Sequence, residues 1–599
     1  MVFRRIGLII LVIGLVSAPS WATELFPLDQ VHPGMHGIGK TVVQGTKIEE
    51  FHVEIISVVS QHPPTPSLVM IKVSGDVIDR SGGIAAGMSG SPVYIEDKLL
   101  GAIGYGYALT DHRVGLVTPA ERMLELLGEL PSEIVEPVLP SDASPLKTPL
   151  MVSGISGRAL EYLTSRLNTD QLQLIPGVTG QSDSDAGVPF QPGSAFGVQL
   201  LRGDFQAVAF GTVTHVEDHK FVGFGHPFLH RGVVNYFVTP ATIHYTMPSL
   251  DFPFKIASAG VTVGSLYQDR AAGVAGVIGT EPSYVPVRIF VQDKTRNRTR
   301  EYRVETVPDE NLVGPLAVSS VYQGIDATLD RIGKGTAYVR LEFDSEDIPN
   351  TVVRENMFYS DSDIAVWALY DLVEGLDLLL ANKLQPVDLS QVNARITVEE
   401  QRKTASIEKA IPRQFQVVAG ESMEVEVTIR PYRDLVEYRV LRIDVPEDTL
   451  PGLMTVTVRG GGSGYYASKP TVHSTLQSIE EDDSENRLEP SGGESLEKLI
   501  ETYMRREQNN EIVAEFYPFI DSYRPVDQTI EALEPGIDSE SIDGVEGDEL
   551  LYFSDISGTE SAYFRFHWDD TSNEPIRVRL TTQFVIEGVA TFDLEVVKP

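Results

Sequence analysis

The sequence predicts a mainly β, multidomain protein with a helical connector and a β-sandwich accessory domain. Three observations carry this. Apolar runs are short and alternate with polar residues, as in "KTVVQGTKI", "FHVEIISVV" and "SLVMIKVSG", the period-2 signature of half-buried strands. Turn-forming residues punctuate them throughout, with 51 Gly and 37 Pro among 599 residues. That length exceeds what one hydrophobic core fills and implies roughly three to five compact units.

Taken in order, "MVFRRIGLIILVIGLVSAPSWA" has Arg4 and Arg5, an apolar run from Ile6 to Val16 and small residues before Ala22. This is the plan of a secretory signal peptide over 1–22, since an apolar run so short falls below the roughly 20 residues of a membrane span. A soluble, exported mature chain is expected, without stable membrane insertion. Residues 23–130 read as strands and glycine turns, and 131–147, rich in Pro, Ser and acid, as a linker. A second β-rich region runs over 148–345. Within the connector 346–410, Asp361, Ser362 and Asp363 offer N-caps to a helix with Val366, Leu369, Leu376 and Leu380 on one face. Residues 411–470 alternate as in "MEVEVTI" and suit a β-sandwich. An acidic linker with a short helix at "SLEKLIETYMRRE" spans 471–548, and 549–599 ends the chain in strands.

Charge and cysteine content narrow the function classes. The formal charge is −37, and loss of Arg4 and Arg5 with the leader makes it −39, which disfavours nucleic acid and anionic lipid as partners. No cysteine is present, so disulfides, a thiolate nucleophile and Cys-ligated zinc are all excluded.

The stretch "GIAAGMSGSPVYIEDKLLGAIGY", residues 83–105, sets Ser89 in a glycine turn at the mouth of a hairpin. A serine nucleophile needs an exposed hydroxyl on a rigid turn, backbone N–H groups for the oxyanion, and a base. Gly87 and Gly90 permit positive φ, and the N–H groups of Gly87 and Ser89 could converge on one oxygen. Ser91, beside Pro92, is a weaker nucleophile candidate and reads as a turn residue. The same residue types also make an ordinary polar turn.

The pattern Gly-x-Ser-Gly-Ser-Pro before a hairpin resembles the nucleophile turn of chymotrypsin-like and high-temperature-requirement proteases. The longer stretch from Ser81 to Tyr105 resembles the nucleophile segment of the stage IV sporulation protein B family of serine peptidases, in which Met precedes the Ser as Met88 does here. The resemblance implies a chymotrypsin-like β-barrel region and Ser89 as nucleophile. In that family a Gly-His pair after a Gly-Thr strand carries the base, which points to His226 in "FGTVTHVEDHKFVGFGHPF". The order departs from the family, since Ser89 precedes His226 by 137 residues. A permuted or split barrel follows, with the two halves on either side of the 131–147 linker. The family's acid lies shortly upstream of the nucleophile; the register puts it near Ser74, which favours Asp76 over Asp79, while a Ser–His dyad without an acid also suffices chemically.

Five of the 12 histidines, His215, His219, His226, His230 and His244, fall close together, and two i,i+4 pairs, "HVEDH" and "HPFLH", raise zinc as a rival. On a strand that spacing separates the rings by roughly 13 Å, and no Glu stands in the metalloprotease position, so no metal is expected. His36 is a second-choice base. Asp111 and His112 follow the hairpin where a substrate wall would lie, or form an ordinary loop, and Tyr105 and Thr118 share that double reading. The resulting expectation is an exported serine endopeptidase, periplasmic or secreted, that cleaves proteins or peptides without a cofactor. The alternatives are a catalytically inactive, peptidase-like envelope scaffold and a metal-dependent hydrolase built on the histidines.

Overall fold

The computed structural model describes residues 24–59, 67–107, 110–128, 139, 143–167, 172–177, 189–462, 495–518, 550–554, 561–565 and 575–598. The expected leader, most of the expected first linker and the acidic stretches "EEDDSEN" and "IDSESIDGVEGDE" lie outside them. The chain divides into two compact units. The first holds residues 1–287 and 303–323, the second 288–302 and 324–599.

The first unit contains two closed barrels. Strands β1 (His36–Thr41), β2 (Glu49–Val59), β3 (Leu68–Ser74), β4 (Pro92–Ile95), β5 (Lys98–Tyr107) and β6 (Val114–Pro119) pair in the ring β4-β1-β2-β3-β6-β5, which β4–β5 closes. Helix α1 (Asp76–Ser81) joins β3 to the serine turn, and α2 (Ala120–Leu124) follows β6. Alternation builds this ring: on β2, Phe51, Val53 and Ile55 point inward while Glu50, His52 and Glu54 stay out of the core. They pack with Val69, Ile71, Val73, Met88 and Val93. The β4–β5 hairpin turns on Glu96 and Asp97, both at positive φ (52° and 62°), as a two-residue turn of the right twist requires.

After the short β7 (Ala143–Pro145), strand β8 (Thr148–Ser153), helix α3 (Gly157–Arg166) and β9 (Leu172–Pro176), a second ring forms. It comprises β10 (Ala195–Gly203), β11 (Gln206–Glu217), β12 (Lys220–Gly223), β13 (Gly232–Met247), β15 (Gly264–Arg270) and β16 (Gly273–Ile278), in the order β10-β13-β15-β16-β12-β11, closed by β10–β11. Strand β14 (Phe254–Ala259) branches from β13. Strand β11 is buried on both faces from Ala207 to His215, so it serves a second contact besides its own core. The two closed rings meet the expectation of a chymotrypsin-like barrel region, with the serine ring first in the chain.

Helix Glu310–Leu329 lies in a region whose sequence reads as strands, and it is the exception to the expected layout. It lacks a polar face, carries Pro315, and satisfies its hydroxyls internally: Ser319, Ser320 and Thr328 each donate to the carbonyl four residues back. An all-round apolar helix gives no amphipathic period to read.

In the second unit, strand Gly335–Ser345 runs antiparallel between Val352–Ser360 and Leu389–Glu399. Helices Ile364–Ala368 and Tyr370–Leu380 follow the expected cap, with the Asp363 carboxylate accepting from the Ala365 N–H at 3.2 Å. A β-sandwich is built from a four-stranded and a five-stranded sheet that share one core around Val425, Val427, Val456, Val458, Ile512 and Leu594. Its strands come from 404–460, 511–516 and 576–597; the last strand, Val589–Val597, pairs antiparallel with Gly452–Gly460. No helix among the described residues is long and apolar enough to cross a membrane.

The hairpin turn gives a direct check on this geometry. Asp97→Gly removes the cost of a left-handed side-chain residue and raises the stability of the first barrel by roughly 0.5–1 kcal/mol, read as a higher midpoint of its unfolding transition; a lower midpoint would contradict the turn.

Candidate active site

Residues 82–91 lead from α1 to β4, and the turn at 87–91 is braced by backbone bonds within the first barrel. Met88 N–H donates to Ala85 O at 2.8 Å, Ser91 N–H to Met88 O at 2.9 Å and Gly90 N–H to Ile103 O at 2.8 Å. The Met88 side chain is fully buried in the first core, and its sulfur accepts from Ala85 N–H at 3.3 Å. The side chain before Ser89 is therefore an anchor, which suits an apolar residue there. Among the described residues, the N–H groups of Gly87 and Ser89 have no acceptor. Two backbone donors left open in a buried turn are the physical requirement for holding an anion.

The second barrel grips this turn from β11. Thr212 N–H donates to Ser89 O at 2.8 Å, the Thr212 hydroxyl to Gly87 O at 3.0 Å and the Thr214 hydroxyl to Gly90 O at 2.7 Å. The two threonines, two residues apart on a strand, share one face and are fully buried. Contact is so close that a Cβ on Gly90, which sits at φ +89°, would lie 2.0 Å from Thr212 O and 2.5 Å from Phe224 N.

His226 follows β12 through two left-handed residues, Phe224 (φ 65°) and Gly225 (φ 69°). Phe224 is strained, a cost the fold bears where the chain must aim one side chain. The Thr118 hydroxyl, at the end of β6, donates to Gly225 O at 2.5 Å and ties this bend to the first barrel. His226 Nε2 then lies 2.8 Å from Ser89 Oγ and Nδ1 lies 2.7 Å from Pro227 O. A carbonyl can only accept, so Nδ1 carries the proton and Nε2 presents its lone pair to the serine hydroxyl. Both side chains are 1% exposed, and burial pushes the imidazole down to about 4. The rings of Phe224 and Tyr105 flank it at 5.7 and 6.3 Å.

Asp269, on β15, carries no signal in the sequence yet organises the loop after His226. Its carboxylate accepts from Phe228 and Leu229 N–H at 2.7 Å each and from Arg231 N–H at 3.3 Å. Burial pushes its pKa up, against the pull of those three N–H groups. Its partners are backbone groups some forty residues away, which residue type alone does not reveal.

The other expected residues lie elsewhere. Asp76 opens α1, 85% exposed, paired with Arg80 at 2.9 Å; Asp79 pairs with Arg113 at 3.0 Å. Neither touches the imidazole, whose second nitrogen meets a carbonyl instead. The Ser91 hydroxyl is buried and, among the described residues, has no partner rather than bracing the turn. His36, His219, His230 and His244 are exposed, His215 is buried on β11, and no three His, Asp or Glu among the described residues are grouped to hold a metal. Asp111 accepts from Arg113 N–H, and His112 bonds Leu250 O at 3.0 Å. Beside His112 a cavity of about 110 Å³ is walled by Ile84, Tyr107, Val114, Leu146 and Phe252.

Residues 22–124 match the family described as SpoIVB peptidase S55. This segment is a serine-type peptidase domain. The match takes in the first barrel with its serine turn and ends at α2, so the second barrel lies beyond it. No curated protein and no solved structure matches the chain.

The tight seam at Gly90 sets an expected cost. Gly90→Ala destabilises the first unit by about 2–3 kcal/mol, because neither backbone can give way. Gly45→Ala, also at positive φ but with nothing within 4 Å of the added Cβ, costs about 1 kcal/mol. Equal losses in chemical denaturation would contradict the close approach.

Proposed function

We propose that the protein is an exported serine endopeptidase in which Ser89 and His226 act as a nucleophile–base dyad. The 2.8 Å contact between His226 Nε2 and Ser89 Oγ carries this reading. Ser89 Oγ attacks the scissile carbonyl while Nε2 takes its proton, and the N–H groups of Gly87 and Ser89 receive the oxyanion. The imidazolium returns the proton to the leaving amine, leaving an ester on Ser89 that water hydrolyses by the same exchange. Pro227 O, accepting from Nδ1–H, holds the tautomer and takes the orienting part expected of Asp76. The substrate is a protein or peptide, and the cavity beside Ile84 is the seat for one of its apolar side chains. Export rests on Arg4, Arg5 and the apolar run that follows them.

Fluorophosphonate labelling tests the dyad. Wild type is labelled, Ser89→Ala and His226→Ala are not, and Asp76→Asn is labelled at the wild-type rate; a folded wild type that stays unlabelled overturns the reading. The near-complete burial of Ser89 and His226 favours a second reading, a peptidase-like scaffold that binds without cleaving, and that outcome would select it.

The pH dependence follows from the buried imidazole. His226 must be neutral to act as base, and its protonation is disfavoured down to about pH 4. The labelling rate therefore stays level from neutrality to about pH 5 and falls below about 4. A midpoint near the ordinary histidine value of about 6.5 would mean that the working site is hydrated.

A further inference from the structure

Lys255, near the start of β14, is fully buried. Among the described residues no carboxylate pairs with it. Burial alone brings its pKa down to about 7. An ammonium buried without a counter-ion is costly, and a methionine would fill the same space. Its contacts explain what a methionine could not do. Its Nζ donates to Gly87 O at 2.9 Å and to the Thr41 hydroxyl at 3.0 Å, and these side-chain bonds add to the one from its backbone N–H to Ala86 O at 3.0 Å, which any residue there would make. One residue thus holds both carbonyls that flank the Gly87 Cα. Its stem lies where a Gly87 side chain would be, with Cδ 3.0 Å from the position of an added Cβ.

In a trans peptide the C=O and N–H point opposite ways. Fixing Ala86 O toward β14 turns the Gly87 N–H the other way, away from β14. Holding Gly87 O stops the next peptide from rotating. Gly87, at φ +91°, has the freest backbone of any residue type and no side chain to restrain it. We propose that Lys255 is a positioning residue for the oxyanion site, clamping the peptides on both sides of Gly87 so that the Gly87 N–H stays aimed at the developing charge. This rests on the reading of Ser89 as nucleophile. The Thr212 hydroxyl, the second donor to Gly87 O, assists the clamp.

The test is saturation kinetics of fluorophosphonate labelling on the full chain, which separates probe binding (KI) from phosphonylation of the serine (kinact). Lys255→Met keeps the backbone bond to Ala86 O but frees the peptide after Gly87; it lowers kinact roughly 10- to 100-fold, less than the about 10²–10³ of a donor removed outright, and leaves KI within about twofold. A purely structural lysine would shift the melting temperature without this split, so a folded Lys255→Met with wild-type kinact overturns the proposal alone. A wild type that is not labelled overturns the nucleophile reading and the clamp with it. Should Lys255→Met not fold, Thr212→Val, which removes the other bond to Gly87 O and keeps the side-chain shape, must lower kinact without raising KI; an unchanged kinact there overturns the clamp.

Discussion

The hydrogen bonds from β11 to the carbonyls of Gly87, Ser89 and Gly90 are the constraint on which the rest of the site depends. Apart from the buried Met88, the turn has little side-chain packing to hold its shape. Here the oxygens of Gly87, Ser89 and Gly90 are taken up by the threonines and backbone of the other barrel, while among the described residues the N–H groups of Gly87 and Ser89 have no acceptor. The same seam brings Phe224 against Gly90 and so fixes where the histidine bend begins. Each barrel is therefore incomplete as a chemical device, although each ring of strands closes on itself.

The polarity of the seam also sets its electrostatics. His226 and Ser89 are neutral partners in a buried pocket, where charge separation on proton transfer is expensive unless dipoles are already aimed at it. The nearby buried ionisable groups, Asp269 and Lys255, act on peptide groups rather than on the dyad itself. They hold backbone dipoles in place around the uncharged pair.

Local chemistry was legible in the sequence, and assembly was not. Ser89 and His226 stand out by residue type and glycine neighbours, and the Asp363 cap by its place before an apolar period. The triad acid shows the limit: Asp76 was chosen by register along the chain, yet α1 turns its carboxylate out to Arg80. Asp269 and Lys255 bind main-chain atoms far away in sequence, and such partners leave no trace in composition or spacing. Helix Glu310–Leu329 was missed for a related reason, since its Ser and Thr hydroxyls are satisfied within the helix and its Gly and Pro mimic turns.

The order of the two barrels along the chain has a consequence for biosynthesis. Ser89 is made first, but the strand that shapes its turn, the imidazole that faces it and the lysine beneath it arrive only by residue 255. At translation rates of roughly 5–20 residues per second, the serine emerges on the order of ten seconds ahead of its complement. A nascent or truncated chain lacking the second barrel thus carries the Ser89 turn with its internal bonds alone, without those from Thr212 and Thr214 and without the facing imidazole. The chain order makes the Ser89–His226 contact a property of the finished double barrel, a built-in delay between the making of the serine turn and the closing of its surroundings.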